Sequence, residues 1–203
     1  MITQTKNTQE NITATIAQTI LVDGNERFTQ NFMTQRNLKE QVTQTSEGQY
    51  PFAVILSCID SRVPAELVFD QGIGDIFSVR VAGNIVNEDV LGSMEYACKV
   101  AGSKLLVVLG HTKCGAVTAA CKHVELGNIT PLLHKIQPAV KVIEANVSEM
   151  NDTAIEEVTE LNVKLSIERI REESSILSEL EEEGAIKIVG AIYNVSTGAV
   201  NFL

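Results

Sequence analysis

The sequence predicts an α/β fold: a mostly parallel four-stranded sheet plus an antiparallel C-terminal edge strand, with helices on both faces and an N-terminal helical arm. Three observations predict it. The runs FAVILSC (52–58) and KLLVVLGH (104–111) are short and almost wholly apolar, as in strands buried on both faces. Segments with helical spacing alternate with such runs, which is the pattern of a parallel sheet with helical crossovers. The last apolar run, AIKIVGAIYNV, is followed by STG and then AVNFL, the signature of a hairpin.

In chain order, Ile12, Ile16, Ile20, Phe28 and Phe32 recur on a four-residue rhythm, so residues 11–32 read as helix. Gly24 falls inside that rhythm and is expected to break it into two helices. TSEGQYP (45–51) is a loop, and FAVILSC is the first strand. VPAELVF (63–69) is a short helix with Pro64 near its first turn, and DIFSVRV (75–81) is the second strand. EDVLGSMEYACKVAG is helical, with Gly102 as its stop signal, and KLLVVLGH is the third strand. CGAVTAACKHVEL (114–126) is a helix, followed by helical sequence from about 130 to 147. Residues 144–183 hold half of the chain's 26 acidic residues and three basic ones. Val163, Ile167, Ile170 and Leu177 recur there, so the segment reads as an amphipathic helix with a solvated acidic face.

A chain of 203 residues suggests one domain with a sizeable core. The formal net charge of −10 argues against nucleic-acid binding, which requires neutralised phosphates. No apolar run reaches membrane-spanning length, and MITQTKNTQENITATIAQT lacks the basic-then-apolar layout of a secretory signal. A soluble, cytoplasmic protein with no membrane or nucleic-acid partner is therefore expected. In a reducing compartment the four cysteines are core residues, ligands or nucleophiles rather than a disulfide framework.

Ligand sites in parallel sheets lie beyond the carboxyl ends of the strands. Two strands here end in reactive groups, one at Cys58 and one at His111, and GHTKCG adds Cys114. Two thiolates and an imidazole at strand-to-helix turns suit tetrahedral zinc with one open position. Cys114 opens a predicted helix, where free N–H groups and the dipole favour thiolate. In SCIDSR, Cys58, Asp60 and Arg62 occupy alternate positions and share a side if the backbone is extended.

These residues carry a resemblance. GNERF (24–28), CIDSRVPAE (58–66), DIFSVRVAGN (75–84), SMEYA (93–97), VVLGHTKCGAV (107–117) and GAIYNVSTG (190–198) are similar to the β-class carbonic anhydrases over nearly the whole chain. The resemblance implies one Zn2+ per chain on Cys58, His111 and Cys114, with water or Asp60 as fourth ligand. It implies reversible hydration of carbon dioxide to bicarbonate and a proton. Zinc would lower the pKa of bound water, though two thiolates donate enough charge to shift the optimum to alkaline pH. Asp60 would orient the nucleophile, Arg62 would keep Asp60 ionised or draw it off the metal, and Gly115 would offer a backbone N–H to the product oxygen. Gln49, Phe77, Ala82 and Tyr96 are the further pocket positions, partly contributed across a dimer. Family members form homodimers, often paired into tetramers, with the N-terminal helices wrapping over the partner. Residues 1–34 are accordingly expected to be an arm on the partner subunit, and 35–203 the α/β zinc-binding catalytic domain.

Several positions qualify the resemblance. Ala82 stands where a larger aliphatic residue is common, which would widen that wall. Val100 stands where some plant-type relatives place a shuttle histidine. One branch of the family closes its site, with Asp on zinc and bicarbonate in a pocket built from Trp, Arg and Tyr. Those positions are Ile55, Arg80 and Tyr193 here, and an aliphatic chain cannot supply the indole donor, so the open form is expected. Arg80 is expected to hold a dimer core. Cys98 and Cys121 read as buried inert thiols, and His123 and His134 as ordinary helix positions. Asp60 with Arg62 as a purely structural ion pair is the plainer alternative to a catalytic role. Hydrolysis of carbon disulfide or carbonyl sulfide, or an inactive zinc-binding scaffold, would use the same motifs.

Overall fold

The computed structural model of the chain describes residues 3–203. Its strands are β1 (Ala53–Ser57), β2 (Ile76–Arg80), β3 (Leu105–His111), β4 (Lys187–Tyr193) and β5 (Val200–Phe202). Its helices are α1 (Lys6–Glu10), α2 (Ala14–Thr29), α3 (Leu38–Gln44), α4 (Ala65–Val68), α5 (Glu88–Glu95), α6 (Gly115–Cys121), α7 (Ile129–Leu133), α8 (Gln137–Glu144), α9 (Asp152–Glu173) and α10 (Ser175–Glu182). The strands form one sheet in the order β2-β1-β3-β4-β5, parallel except for β5, which runs antiparallel to β4. No helix among the described residues is long and apolar enough to cross a membrane.

Alternate side chains of a strand leave on opposite faces, and here both faces are covered. Val54, Leu56, Leu106, Val108 and Ile188 pack against Val90, Met94, Val163, Ile170 and Leu177 of α5, α9 and α10. Ala53, Ile55, Leu105, Val107 and Leu109 pack on the other face against Ala17 and Leu21 of α2 and Ala65 and Val68 of α4. This double burial is why the strands read as continuous apolar runs.

The N-terminal segment differs from expectation in two ways. Gly24 does not break the helix, because α2 runs through it from Ala14 to Thr29. A Cβ at Gly24 would lie 1.9 Å from the Phe69 carbonyl oxygen, so the glycine permits close helix packing rather than ending a helix. The expected apolar stripe is also divided. Ile12, Ile20 and Phe28 pack against this chain's own core, whereas Ile16, Val22 and Phe32 are exposed. Asn25 ties the helix down, donating to Val68 O and Gly198 O and accepting from Val200 N–H. Arg27 and Arg36 pair with the fully buried Asp70, whose carboxyl they hold below its usual range against the burial that raises it. A fragment of residues 33–203 should therefore lose its fold, since one face of the sheet would be stripped. Circular dichroism and sedimentation of that fragment check this, and a folded, monodisperse species would contradict it.

Other elements end earlier than the sequence pattern suggests. After α5 the helix widens into a π turn over Tyr96–Val100 before Gly102 stops it at φ +83°. The helix from Cys114 ends at Cys121, leaving His123 in a turn with φ +51°. The stretch from 130 divides into α7 and α8. The acidic segment divides at Ser174, whose extended backbone (φ −123°, ψ 98°) ends α9 and whose hydroxyl caps α10 at Leu177 N–H.

Candidate metal centre

Cys58 follows β1 and His111 ends β3, and these strands are parallel neighbours in which Ser57 faces Leu109. The chain leaves β1 toward β2 on one side and returns as β3 on the other. The crevice between their carboxyl ends is thus the switch point of the sheet, where ligands bind in such folds. Cys114 closes the crevice from the position preceding α6. The Sγ atoms of Cys58 and Cys114 and a ring nitrogen of His111 all lie within 4.8 Å of one another. All three residues are buried.

The donor chemistry fits a metal ion. His111 Nδ1 lies 2.9 Å from the Thr112 carbonyl, which can only accept, so Nδ1 carries the proton and Nε2 keeps its lone pair. Nε2 is buried with no hydrogen-bond partner. A buried unpartnered imidazole nitrogen beside two thiols is satisfied by a cation, and the carbonyl behind it fixes the ring. The Cys114 thiol alongside, with the N–H groups of Gly83 and Asp60, holds the Cys58 thiol far below its ordinary range against the burial that raises it. Cys114 is raised in turn by the Cys58 sulfur and by burial. Two such neighbouring sulfurs and an imidazole nitrogen are a donor set that a bound cation would satisfy.

Beside this cluster, Arg62 grips Asp60 with Nε on Oδ1 at 2.9 Å and Nη2 on Oδ2 at 2.7 Å, and the Arg62 backbone N–H adds a 2.9 Å bond to Oδ1. This Arg62 contact holds the Asp60 carboxyl well below the carboxylate range, against a smaller opposing effect of burial. Asp60 Oδ2 is also 3.9 Å from His111 Nε2, so the carboxylate borders the cluster. Arg62 Nη2 reaches the Lys113 carbonyl at 3.3 Å, tying the two ligand loops together. Arg80, expected to hold a dimer core, grips carbonyls of its own chain. Its Nε donates to Cys58 O at 3.1 Å and its Nη2 to Asp60 O at 2.6 Å.

The structure brings some of the expected pocket residues to the cluster and leaves others away. Gly115 begins α6 directly after Cys114, with nothing within 4 Å of where its Cβ would be. Ala82 precedes Gly83, whose N–H donates to Cys58 Sγ at 3.3 Å. Gln49, Phe77 and Tyr96 are not at the cluster within one chain. Phe77 pairs in register with Val54, four residues before Cys58, or about 13 Å along a strand. Tyr96 stacks edge-on against Phe77 at 6.2 Å, and Gln49 lies in the loop before β1, at the far end of the sheet. Sequence reasoning missed Glu156, which accepts from Lys113 N–H at 2.8 Å, and Asn162, which donates to Gly83 O at 3.0 Å. Asn162 did leave a signal: a polar residue four positions after Val158 and five before Ile167, on the apolar face of its helix.

Comparison with known proteins agrees with this geometry. The family model described as carbonic anhydrase matches residues 53–200, well over half of the chain. The chain is 35% identical over 184 residues to carbonic anhydrase 2 of Mycobacterium tuberculosis, covering 88% of this chain and 87% of that protein. It is 34% identical to a carbonic anhydrase of Mycolicibacterium smegmatis over 89% of this chain and 88% of the relative. Its fold superposes on the beta-carbonic anhydrase CafA of Aspergillus fumigatus with a TM-score of 0.76 at 29% identity, covering 81% of each chain.

Proposed function

The chain belongs to the carbonic anhydrase family, and from that premise we propose that it hydrates carbon dioxide reversibly to bicarbonate and a proton, using one zinc ion held by Cys58, His111 and Cys114. The observation that carries the reading is the unpartnered His111 Nε2 facing two thiols beside an Arg-held carboxylate. A zinc ion held there would supply the Lewis acidity that makes water a nucleophile near neutral pH. Cys58, Cys114 and His111 Nε2 fix where it sits, and the bond from His111 Nδ1–H to Thr112 O keeps the ring aimed. Asp60 is the anionic acceptor beside the cluster and orients a donor proton there, while Arg62 keeps it charged and in place. Gly115 N–H stabilises the negative oxygen that develops on the product, and Ala82 forms part of the wall.

A second copy of the chain supplies Gln49, Phe77 and Tyr96 to this pocket in a homodimer, which can pair into a tetramer. The exposed Ile16, Val22 and Phe32 of the N-terminal segment and the exposed Tyr96 and Val100 support such an interface. Four free, buried cysteines suit a cytoplasmic location.

The open form follows from the same contacts. Ile55 and Tyr193 are packed in one apolar cluster, and Arg80 is engaged by two carbonyls, so little remains to hold a regulatory anion there. With both Asp60 oxygens engaged by Arg62, the carboxylate stays ionised through neutral pH and does not titrate with activity. Stopped-flow hydration by the zinc-loaded protein should therefore rise gradually toward alkaline pH, without steep proton cooperativity. Carbon disulfide assayed in parallel should turn over far more slowly. A zinc-loaded protein inert toward carbon dioxide, or faster on carbon disulfide, would overturn the reading.

A further inference from the structure

Gly83 is the hinge of the turn that cups Cys58. It lies in the tight turn Ala82–Asn84 after β2 with φ +68° and ψ 19°, and its N–H donates to Cys58 Sγ. A glycine lacks the Cβ that would limit its torsions, so the aim of that N–H is set from outside. Space is one constraint: Ile136 Cδ1 lies 2.6 Å from where a Cβ would be, so only glycine fits this turn. The other is Asn162 in the middle of α9, only 4% exposed, whose Nδ2 donates to Gly83 O. A carbonyl only accepts, so the side-chain atom facing it is the amide nitrogen. The Gly83–Asn84 peptide is held at its other end too, where Asn84 N–H donates to Val81 O at 3.0 Å, and its orientation reaches the Gly83 N–H of the preceding peptide through the glycine's φ and ψ.

We propose that Asn162 is a positioning residue of the metal centre. By holding Gly83 O it keeps Gly83 N–H on Cys58 Sγ, and so sets how much charge that sulfur gives the bound cation. The inference rests on the reading of Cys58, His111 and Cys114 as a metal site. A hydrogen bond to a thiolate draws electron density from the lone pairs that bind the metal. Groups that orient a ligand in this way tune the metal without touching it. Asn162 is 79 residues from the glycine it holds, and its neighbours Val158 and Val163 are apolar core, so the contact is a specific one within a packed layer.

The test compares wild type with Asn162→Asp, which keeps the shape but sets an acceptor against an acceptor, and with Asn162→Leu, which removes the donor. Each protein is loaded with cobalt(II). Removing the hydrogen bond raises the energy of the sulfur lone pairs, so the sulfur-to-cobalt charge-transfer band should move to longer wavelength in both variants. Cobalt affinity, measured by chelator competition, should fall about 10-fold, because losing the contact that orients the sulfur costs more than its stronger donation returns. A merely structural role would lower thermal stability and leave the band in place. An unchanged band in a folded variant overturns the proposal whatever the affinity does. Failure of both variants to fold assigns Asn162 to the scaffold and overturns it too. Wild type that takes up no stoichiometric cobalt would instead sink the metal-site reading itself.

Discussion

Cys58→Ala purified in the presence of zinc should carry less than about 0.1 zinc per chain and hydrate carbon dioxide at the background rate, because two remaining ligands do not hold the ion. Cys58 is buried and receives the Gly83 N–H, so its replacement removes a sulfur that the fold holds in place at that corner of the cluster. His111→Ala should behave the same way, since its Nε2 is the cluster's sole imidazole donor. Cys98→Ala is the control. Cys98 is buried away from the cluster, where burial pushes its thiol up to about 12, and its replacement should leave full zinc occupancy. The metal-depleted variants should also melt at lower temperature than zinc-loaded wild type, because an ion bound only by the folded state stabilises it. Metal analysis of the purified proteins decides the matter: one zinc per chain in Cys58→Ala with full activity would show that the ligand set is wrong.

Asp60 and Arg62 should act as one unit. Asp60→Ala leaves the three ligands intact, so zinc should remain stoichiometric while hydration slows by about 10²- to 10³-fold, the scale set by losing a preorganised partner of the reacting groups. Arg62→Ala removes both side-chain bonds that hold the carboxylate. Asp60 Oδ2 is already 3.9 Å from His111 Nε2, so the freed carboxylate is within easy reach of the cation and should block it, with a similar loss. The two substitutions destroy the same arrangement by different routes. The double variant should therefore be no more than about 10-fold slower than the worse single, far short of the product of the two losses. Stopped-flow rates on zinc-replete proteins measure this, and strictly multiplicative losses would return the pair to the plainer status of a structural ion pair.

How much of this was legible in the sequence depends on the range of the interaction. The parallel sheet was legible because β1 and β3 are buried on both faces, and double burial writes itself as an unbroken apolar run. The antiparallel last strand was legible because a short turn leaves little alternative to a hairpin. The metal-competent set was legible for a related reason. Cys58 sits at the end of one strand and His111 and Cys114 at the end of another, so two local motifs needed only adjacent strands to meet. Asp60 and Arg62 are two residues apart, and their pairing is likewise local.

Tertiary structure decided the rest. Gly24 carries the same local signal whether it ends a helix or lets the Phe69 carbonyl approach, and only the packing of α2 against the end of α4 separates the two. The apolar stripe of α2 reads alike for a partner's surface and for its own core, since periodicity reports that a face is buried but not against what. The sequence suggests a dimer core for Arg80 and gives no sign of its grip on Cys58 O and Asp60 O, which spans about 20 residues and follows from strand register. Phe77 and Tyr96 fall away from the cluster for the same reason, because register places Phe77 beside Val54 rather than beside Cys58. The bond from Asn162 to Gly83 crosses 79 residues and repeats with no period. Composition, periodicity and short motifs determined the sheet, its helices and the metal-competent side chains of this chain. The orientation of those donors rests on contacts between residues far apart in sequence, whose geometry exists only once the chain is packed.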